Sequence, residues 1–212
     1  MSLTGSDLAD SIRIDMNFPT PTSTQLIGWG KGVVQHIQTG QVDHALVTGD
    51  TAPGAPLANG AAIGGIISGL DGASMASLVQ TEAGYPNVSS ELSAFCQEIV
   101  NHIQSSGLVN FDPGQITGQC TSTPLSPGPL TNGAGTGGII TGLDGNTLAG
   151  AIHGSAGYPG STSPELVTFC TAIVNYVMDN AEIEYTPGSV VGTCPAGGGP
   201  LQGGAATGGT IL

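Results

Sequence analysis

The sequence predicts an α+β protein built as three tandem small repeats, each two helices plus a β-hairpin and an extended Gly-rich arm. Three observations predict it. Ser89 to Cys120 is written again as Ser163 to Cys194, and a third version begins at Ser23 and ends at Thr51. In each copy the apolar residues first recur with a period of 3.6 and then alternate. Each copy closes in a run dominated by Gly and Thr. The boundaries fall at residues 1–68, 69–141 and 142–212.

The first helix of each copy follows Leu3-Thr4-Gly5, Leu70-Asp71-Gly72 or Leu143-Asp144-Gly145. Leu8, Met75 and Leu148 begin its apolar face, and Ile12, Val79 and Ile152 lie one turn on. Gly150 and Gly154 weaken it in copy 3. Phe18-Pro19, Tyr85-Pro86 and Tyr158-Pro159 end it, because Pro disfavours helix at the residue before it. These rings read as core plugs, with ligand stacking as the alternative.

The second helix starts at Ser23, Ser89 or Ser163, each a good N-cap. Pro164 occupies a first-turn position where its missing N–H costs nothing, and Glu91 and Glu165 suit the positive end of the helix dipole. The stripe is Leu92, Phe95, Cys96, Ile99, Val100 and Ile103 in copy 2. In copy 3 it is Leu166, Phe169, Cys170, Ile173, Val174 and Val177. Copy 1 has Leu26, Trp29, Gly30, Val33, Val34 and Ile37 at the same spacing.

A hairpin is expected next. Val109-Asn110-Phe111 and Ile183-Glu184-Tyr185 alternate as strands do, Pro113-Gly114 and Pro187-Gly188 turn the chain, and Ile116 and Val190 begin the return. Copy 1 has a shorter version from Val42 to Gly49. The arms follow, from Pro56, Pro129 and Pro200. A flexible linker is the plain reading of such a composition. The third arm has no further domain after it in the sequence, however, which favours docking in extended form on a neighbouring module or a partner by strand addition.

A second Cys follows the first at the same distance in copies 2 and 3, while copy 1 has Gly30 and Thr51 at both places. Four Cys allow three pairings. The joint absence selects two intradomain bridges, Cys96–Cys120 and Cys170–Cys194. Bridges between subunits are the main alternative. A metal site is a weaker one, since no CxxC and no adjacent His recurs. Small modules with aromatics at only 4% gain much from such bridges, and copy 1 must rely on Trp29 or its neighbours instead.

The search for chemistry finds little. His36 and His102 match across copies 1 and 2, but copy 3 has Tyr176, which favours a boundary role over catalysis. His44 and His153 have no repeated partner, and no carboxylate pair recurs as a general acid and base. Asp71 and Asp144 read as helix caps, with a Ca²⁺ site as the minor alternative. Gly28-Trp29-Gly30-Lys31-Gly32 lacks phosphate-loop spacing. A cysteine hydrolase would need a free thiolate beside a His, against which paired cysteines speak. No enzyme activity, metal or cofactor is expected.

Charge restricts partners further. Lys plus Arg number 2 against 15 Asp plus Glu, a net charge of −13, and no basic face exists for nucleic acid. The start Met1-Ser2-Leu3-Thr4-Gly5 does not read as a signal peptide, and no apolar run spans a bilayer, so no membrane partner is expected. A chain made in a cytoplasm yet wanting disulfides fits a particle oxidised after release.

With SPELVTFCTAIVNYV, PGSVVGTC and the GGxI arms, the chain resembles accessory proteins of tailed-bacteriophage virions: capsid decoration, linker, and neck or collar proteins. The likeness covers most of the chain and rests on pattern and composition. It implies a non-enzymatic virion protein that cements or decorates major capsid, neck or sheath subunits, multimeric in assembly, with Cys96, Cys120, Cys170 and Cys194 locking it after release from the host cytoplasm. A receptor-binding fibre or surface adhesin module is the alternative.

Overall fold

The computed structural model describes residues 2–212. The chain is α+β. Helices α1 (Gly5–Asp15) and α2 (Thr24–Ile37) precede strands β1 (Gln41–Thr51) and β2 (Ala58–Ser68). Helices α3 (Gly72–Ala83) and α4 (Ser90–Ser106) precede β3 (Leu108–Cys120) and β4 (Gly128–Thr141). Helices α5 (Gly145–Ser155) and α6 (Pro164–Asn180) precede β5 (Ile183–Cys194), β6 (Gly199–Pro200) and β7 (Gln202–Ile211).

The chain divides into two compact units, and neither follows the expected module boundaries. The segments up to Gly40, Gly69–Gly107 and Gly142–Ala181 form a helical unit; Gln41–Ser68, Leu108–Thr141 and Glu182–Leu212 form a strand unit. Residues 1–68, 69–141 and 142–212 are therefore each shared between both. The reason is burial. One helix pair and one hairpin each bury too little apolar surface alone, and like elements from successive segments supply the missing neighbours.

In the helical unit each helix contacts the next, and α6 contacts α1, so the six form a closed ring. Ser23, Ser89 and Ser163 cap α2, α4 and α6 as their sequence suggests, accepting from the N–H of Leu26, Leu92 and Leu166 at 3.1, 3.2 and 3.2 Å. Small residues set the helix spacing. A Cβ at Gly5, Gly72 or Gly145 would overlap the backbone of Lys31, Gln97 or Thr171 on the following helix. Gly28 and Gly32 clear the backbone of α3 in the same way, and Gly30 clears the Gly5 carbonyl on α1. The Gly28–Gly32 run is thus a packing surface for two neighbouring helices.

The strand unit is a six-stranded antiparallel barrel. Its order is β2-β3-β4-β5-β7-β1, closed by pairing of β1 with β2, with β6 a two-residue extension on β1. Three expectations meet the structure here, and the first and third are corrected. First, Pro113-Gly114 and Pro187-Gly188 do not reverse the chain. They lie inside single long strands as bulges, with Gly114 and Gly188 at φ +96° and +97°. Asn110 pairs with Ile139 and Ile116 with Gly135, so β3 carries two more residues than β4 over that stretch. The reversal comes later, where each arm returns as β2, β4 or β7.

Second, the Gly-rich arms are barrel strands. β2 pairs with β1 and β3, β4 with β3 and β5, and β7 with β5 and β1. Each arm is added to the strand of the adjoining segment, and the closed barrel leaves no arm to extend to a partner. Their glycines have fixed duties. A Cβ at Gly60, Gly133 or Gly204 would overlap the carbonyl of Ile116, Val190 or Val47 on the adjacent strand. A Cβ at Gly65, Gly138 or Gly209 would strike the ring of His44, Phe111 or Tyr185.

Third, the cysteines pair otherwise than expected. Cys120 and Cys194, at the ends of β3 and β5, form the disulfide, with Cα atoms 5.8 Å apart. Cys96 and Cys170 are free and buried in the helical unit. The expected bridges Cys96–Cys120 and Cys170–Cys194 each join residues that fold into different units. The cysteine-free positions of copy 1 have separate causes: residue 30 has no room for a side chain, and Thr51 donates to the Gly199 carbonyl at 2.7 Å.

Candidate functional site

Three positions on alternate helices act as latches around the helical ring. His36 on α2 accepts through Nε2 from the backbone N–H of Asp71 at 2.9 Å, and His102 on α4 accepts from Asp144 N–H at 2.9 Å. Tyr176 on α6 makes the corresponding contact where the ring closes. Its hydroxyl accepts from Thr4 N–H at 2.8 Å and donates to the Thr4 carbonyl at 2.8 Å. The three partners are the N-cap residues of α3, α5 and α1. Asp71 and Asp144 cap those helices with their carboxylates, accepting from Ser74 N–H at 2.7 Å and Thr147 N–H at 2.8 Å. Hydrogen bonds from the Ser74 and Thr147 side chains, and then from their backbone N–H groups, hold both carboxyls below the ordinary Asp range. Among the described residues no three metal-ligating side chains gather.

Burial lowers the pKa of His36 and His102, opposed by the nearby Asp71 and Asp144 charges. A lowered folded value means that the unfolded chain takes up protons first as pH falls. The latches therefore contribute in full above the unfolded His value of about 6.5 and lose that contribution as pH falls below it. We expect the melting temperature of the native chain to drop between pH 7 and pH 5 by several degrees more than that of a His36→Gln/His102→Gln variant. Glutamine accepts the same hydrogen bonds without titrating, so parallel curves in thermal melts would reject the latch role.

The barrel interior holds a second trio at matched positions. The His44 ring lies 5.6 Å from Phe111 and 5.8 Å from Tyr185, and Phe111 and Tyr185 are 5.4 Å apart. His44 Nδ1 meets the Tyr185 hydroxyl at 2.7 Å and Nε2 meets the Val109 carbonyl at 2.9 Å. Tyr185 also reaches the Val42 carbonyl at 3.1 Å. All three rings are almost fully buried. Burial lowers the His44 pKa and raises that of Tyr185. The trio packs the barrel interior, and with the His44 ring neutral the one imidazole proton and the one Tyr185 hydroxyl proton are shared among these three polar contacts. His153 lies against the Tyr158 ring at 6.1 Å.

Cys96 and Cys170 offer no nucleophile, because burial pushes both thiols up to about 12. His36, His102, Asp71, Asp144, Cys120 and Cys194 thus serve as latches, caps and bridge.

What remains is a surface feature. Trp29, Phe95 and Phe169 stand at one position of α2, α4 and α6 and meet pairwise edge to face, with centroids 6.0, 5.2 and 5.6 Å apart. Phe95 and Phe169 are only half-buried. A depression of about 170 Å³ lies against them, lined by Trp29, Glu91, Leu92, Phe95, Tyr158 and Phe169. Related hollows of about 380 and 200 Å³ flank it, at Tyr85, Pro86 and Leu92 and at Tyr158, Pro159 and Leu166. The sequence shows each ring as one member of its own helix stripe; only ring closure brings the three together. The signal in the sequence is an aromatic at the same place in three copies of an aromatic-poor chain. Such a face suits recognition of another molecule, and no activated group faces it. No helix among the described residues is long and apolar enough to cross a membrane. Comparison with protein-family models, with curated proteins and with solved structures gives no match.

Proposed function

We propose that the chain is three tandem copies of one α-α-β-β unit and serves as a non-enzymatic attachment protein of a bacteriophage virion, decorating or cementing capsid, neck or tail subunits. The observation that carries this reading is the threefold reuse of positions. His36, His102 and Tyr176 latch the ring, Trp29, Phe95 and Phe169 meet in it, and Gly60, Gly133 and Gly204 fit adjacent strands in the barrel. One chain then presents three near-equivalent faces, which suits a partner with local threefold order.

Three further features support it. The barrel exposes Leu46, Ile63, Ile66, Leu108, Ile139 and Val191, with Ile66 directly opposite Leu108. An apolar exterior of this kind suits a protein held permanently against others. The net charge of −13 favours a place away from packaged DNA. The Cys120–Cys194 bridge suits a particle oxidised after release from the host cytoplasm.

The test is co-sedimentation of the purified, oxidised chain with virions from which it has been genetically deleted. Saturable binding at one chain per local threefold position is expected; failure to sediment with particles sinks the proposal. The fibre or adhesin alternative draws on the exposed loop rings Phe18 and Tyr158. It requires instead that the chain bind host cells while leaving deleted particles bare.

A further inference from the structure

We propose that the depression against Trp29, Phe95 and Phe169 takes a single cationic side chain, a Lys or Arg of the partner. The lining argues for a cation over an apolar plug. It combines four aromatic residues with the acidic residue Glu91 and contains no Lys or Arg. Edge-to-face packing with half-buried Phe95 and Phe169 leaves ring surface open to the depression. A cation over such rings gains from their quadrupoles, and the adjacent carboxylate adds direct attraction. A volume of about 170 Å³ accepts an ammonium or guanidinium head and the end of its stem. Glu91 stays ionised, since hydrogen bonds at the start of α4 hold its carboxyl below the ordinary range. The net charge of −13 further enriches cations at the surface. The positive end of the α4 dipole offsets part of the Glu91 charge, so binding of one isolated cation belongs in the millimolar range. Use as an anchor then depends on the rest of the interface around it.

Trp29 is the single tryptophan of the chain, so its fluorescence reports this site directly. The experiment titrates the intact oxidised protein with tetramethylammonium chloride, and separately with tert-butanol as the neutral counterpart, at constant ionic strength. A saturable change in Trp29 emission with tetramethylammonium and none with tert-butanol over the same range is expected. Glu91→Gln should weaken the half-saturation point at least about threefold, with an unchanged circular dichroism spectrum. Because Glu91 is exposed, that variant is expected to fold. Equal response to the two probes, no saturable response, or an unaffected Glu91→Gln would overturn the inference. The inference rests on the attachment reading only for the source of the cation. The titration needs no particle, so a chain that sediments with virions but ignores tetramethylammonium refutes this site alone. The reverse result refutes attachment and keeps the site.

Discussion

Reducing the oxidised protein costs about 4 kcal/mol of stability, the loop-closure value for cysteines this far apart in sequence. The separation of Cys120 and Cys194 is 74 residues. For a chain of this size that loss corresponds to a fall in melting temperature of roughly 10 °C. The pairing can be read from the same experiment. A Cys120→Ser/Cys194→Ser variant should melt near the reduced wild type and ignore reductant. A Cys96→Ala/Cys170→Ala variant loses buried side-chain volume and starts lower, yet keeps the full response to reductant. Peptide mapping without reduction should find residues 120 and 194 tied. Peptides joining 96 to 120 and 170 to 194, with the reductant response abolished by loss of 96 and 170, would restore the pairing inferred from the repeat. The two helix cysteines should stay unlabelled by iodoacetamide in the native state, because burial keeps both thiols protonated.

Gly133→Ala is expected to destabilise the barrel by about 3 kcal/mol or more, the range of overpacking where a neighbour cannot move aside. The added methyl would fall on the Val190 carbonyl, which is backbone of the adjacent strand. Gly60→Ala and Gly204→Ala should behave alike, against Ile116 and Val47. Gly203→Asn is the internal control. Gly203 has φ +56°, as Asn59 has +50° and Asn132 has +52°, and nothing lies near its Cβ position. Asparagine tolerates that backbone region, so this change should stay within about 0.5 kcal/mol. Denaturant melts compare all four variants. A Gly133→Ala protein as stable as Gly203→Asn would show that the arms are not held in the barrel as described.

Much of the secondary structure was legible in the residues because local rules fix it. The serines at 23, 89 and 163 cap the helices that they were expected to cap, and the period-3.6 stripes mark which side of each helix is buried. The alternation of Val109-Asn110-Phe111 and Ile183-Glu184-Tyr185, with the shorter version from Val42 to Gly49, marked strands in all three places. Pro113-Gly114 misled, because the dipeptide that makes a turn also makes a bulge, and only the neighbouring strand's register separates the two. The arms were legible as extended segments that add to strands, but their sequence left open whether they pair within the chain or with a partner.

By itself, then, the sequence determined the α+β class, the helices and their caps, the poverty of cations and the recurrence of matched positions. Tertiary structure alone decided which cysteines meet, where the arms go, and that Trp29, Phe95 and Phe169 share one place. The physical reason is range. Caps and periodicity act over one or two turns of chain, whereas ring closure through Tyr176 and Thr4, barrel closure of β7 onto β1, and the Cys120–Cys194 bridge join residues from different copies. Aligning the copies shows that two positions are equivalent, but whether they touch depends on how the helices close into their ring and the strands into their barrel.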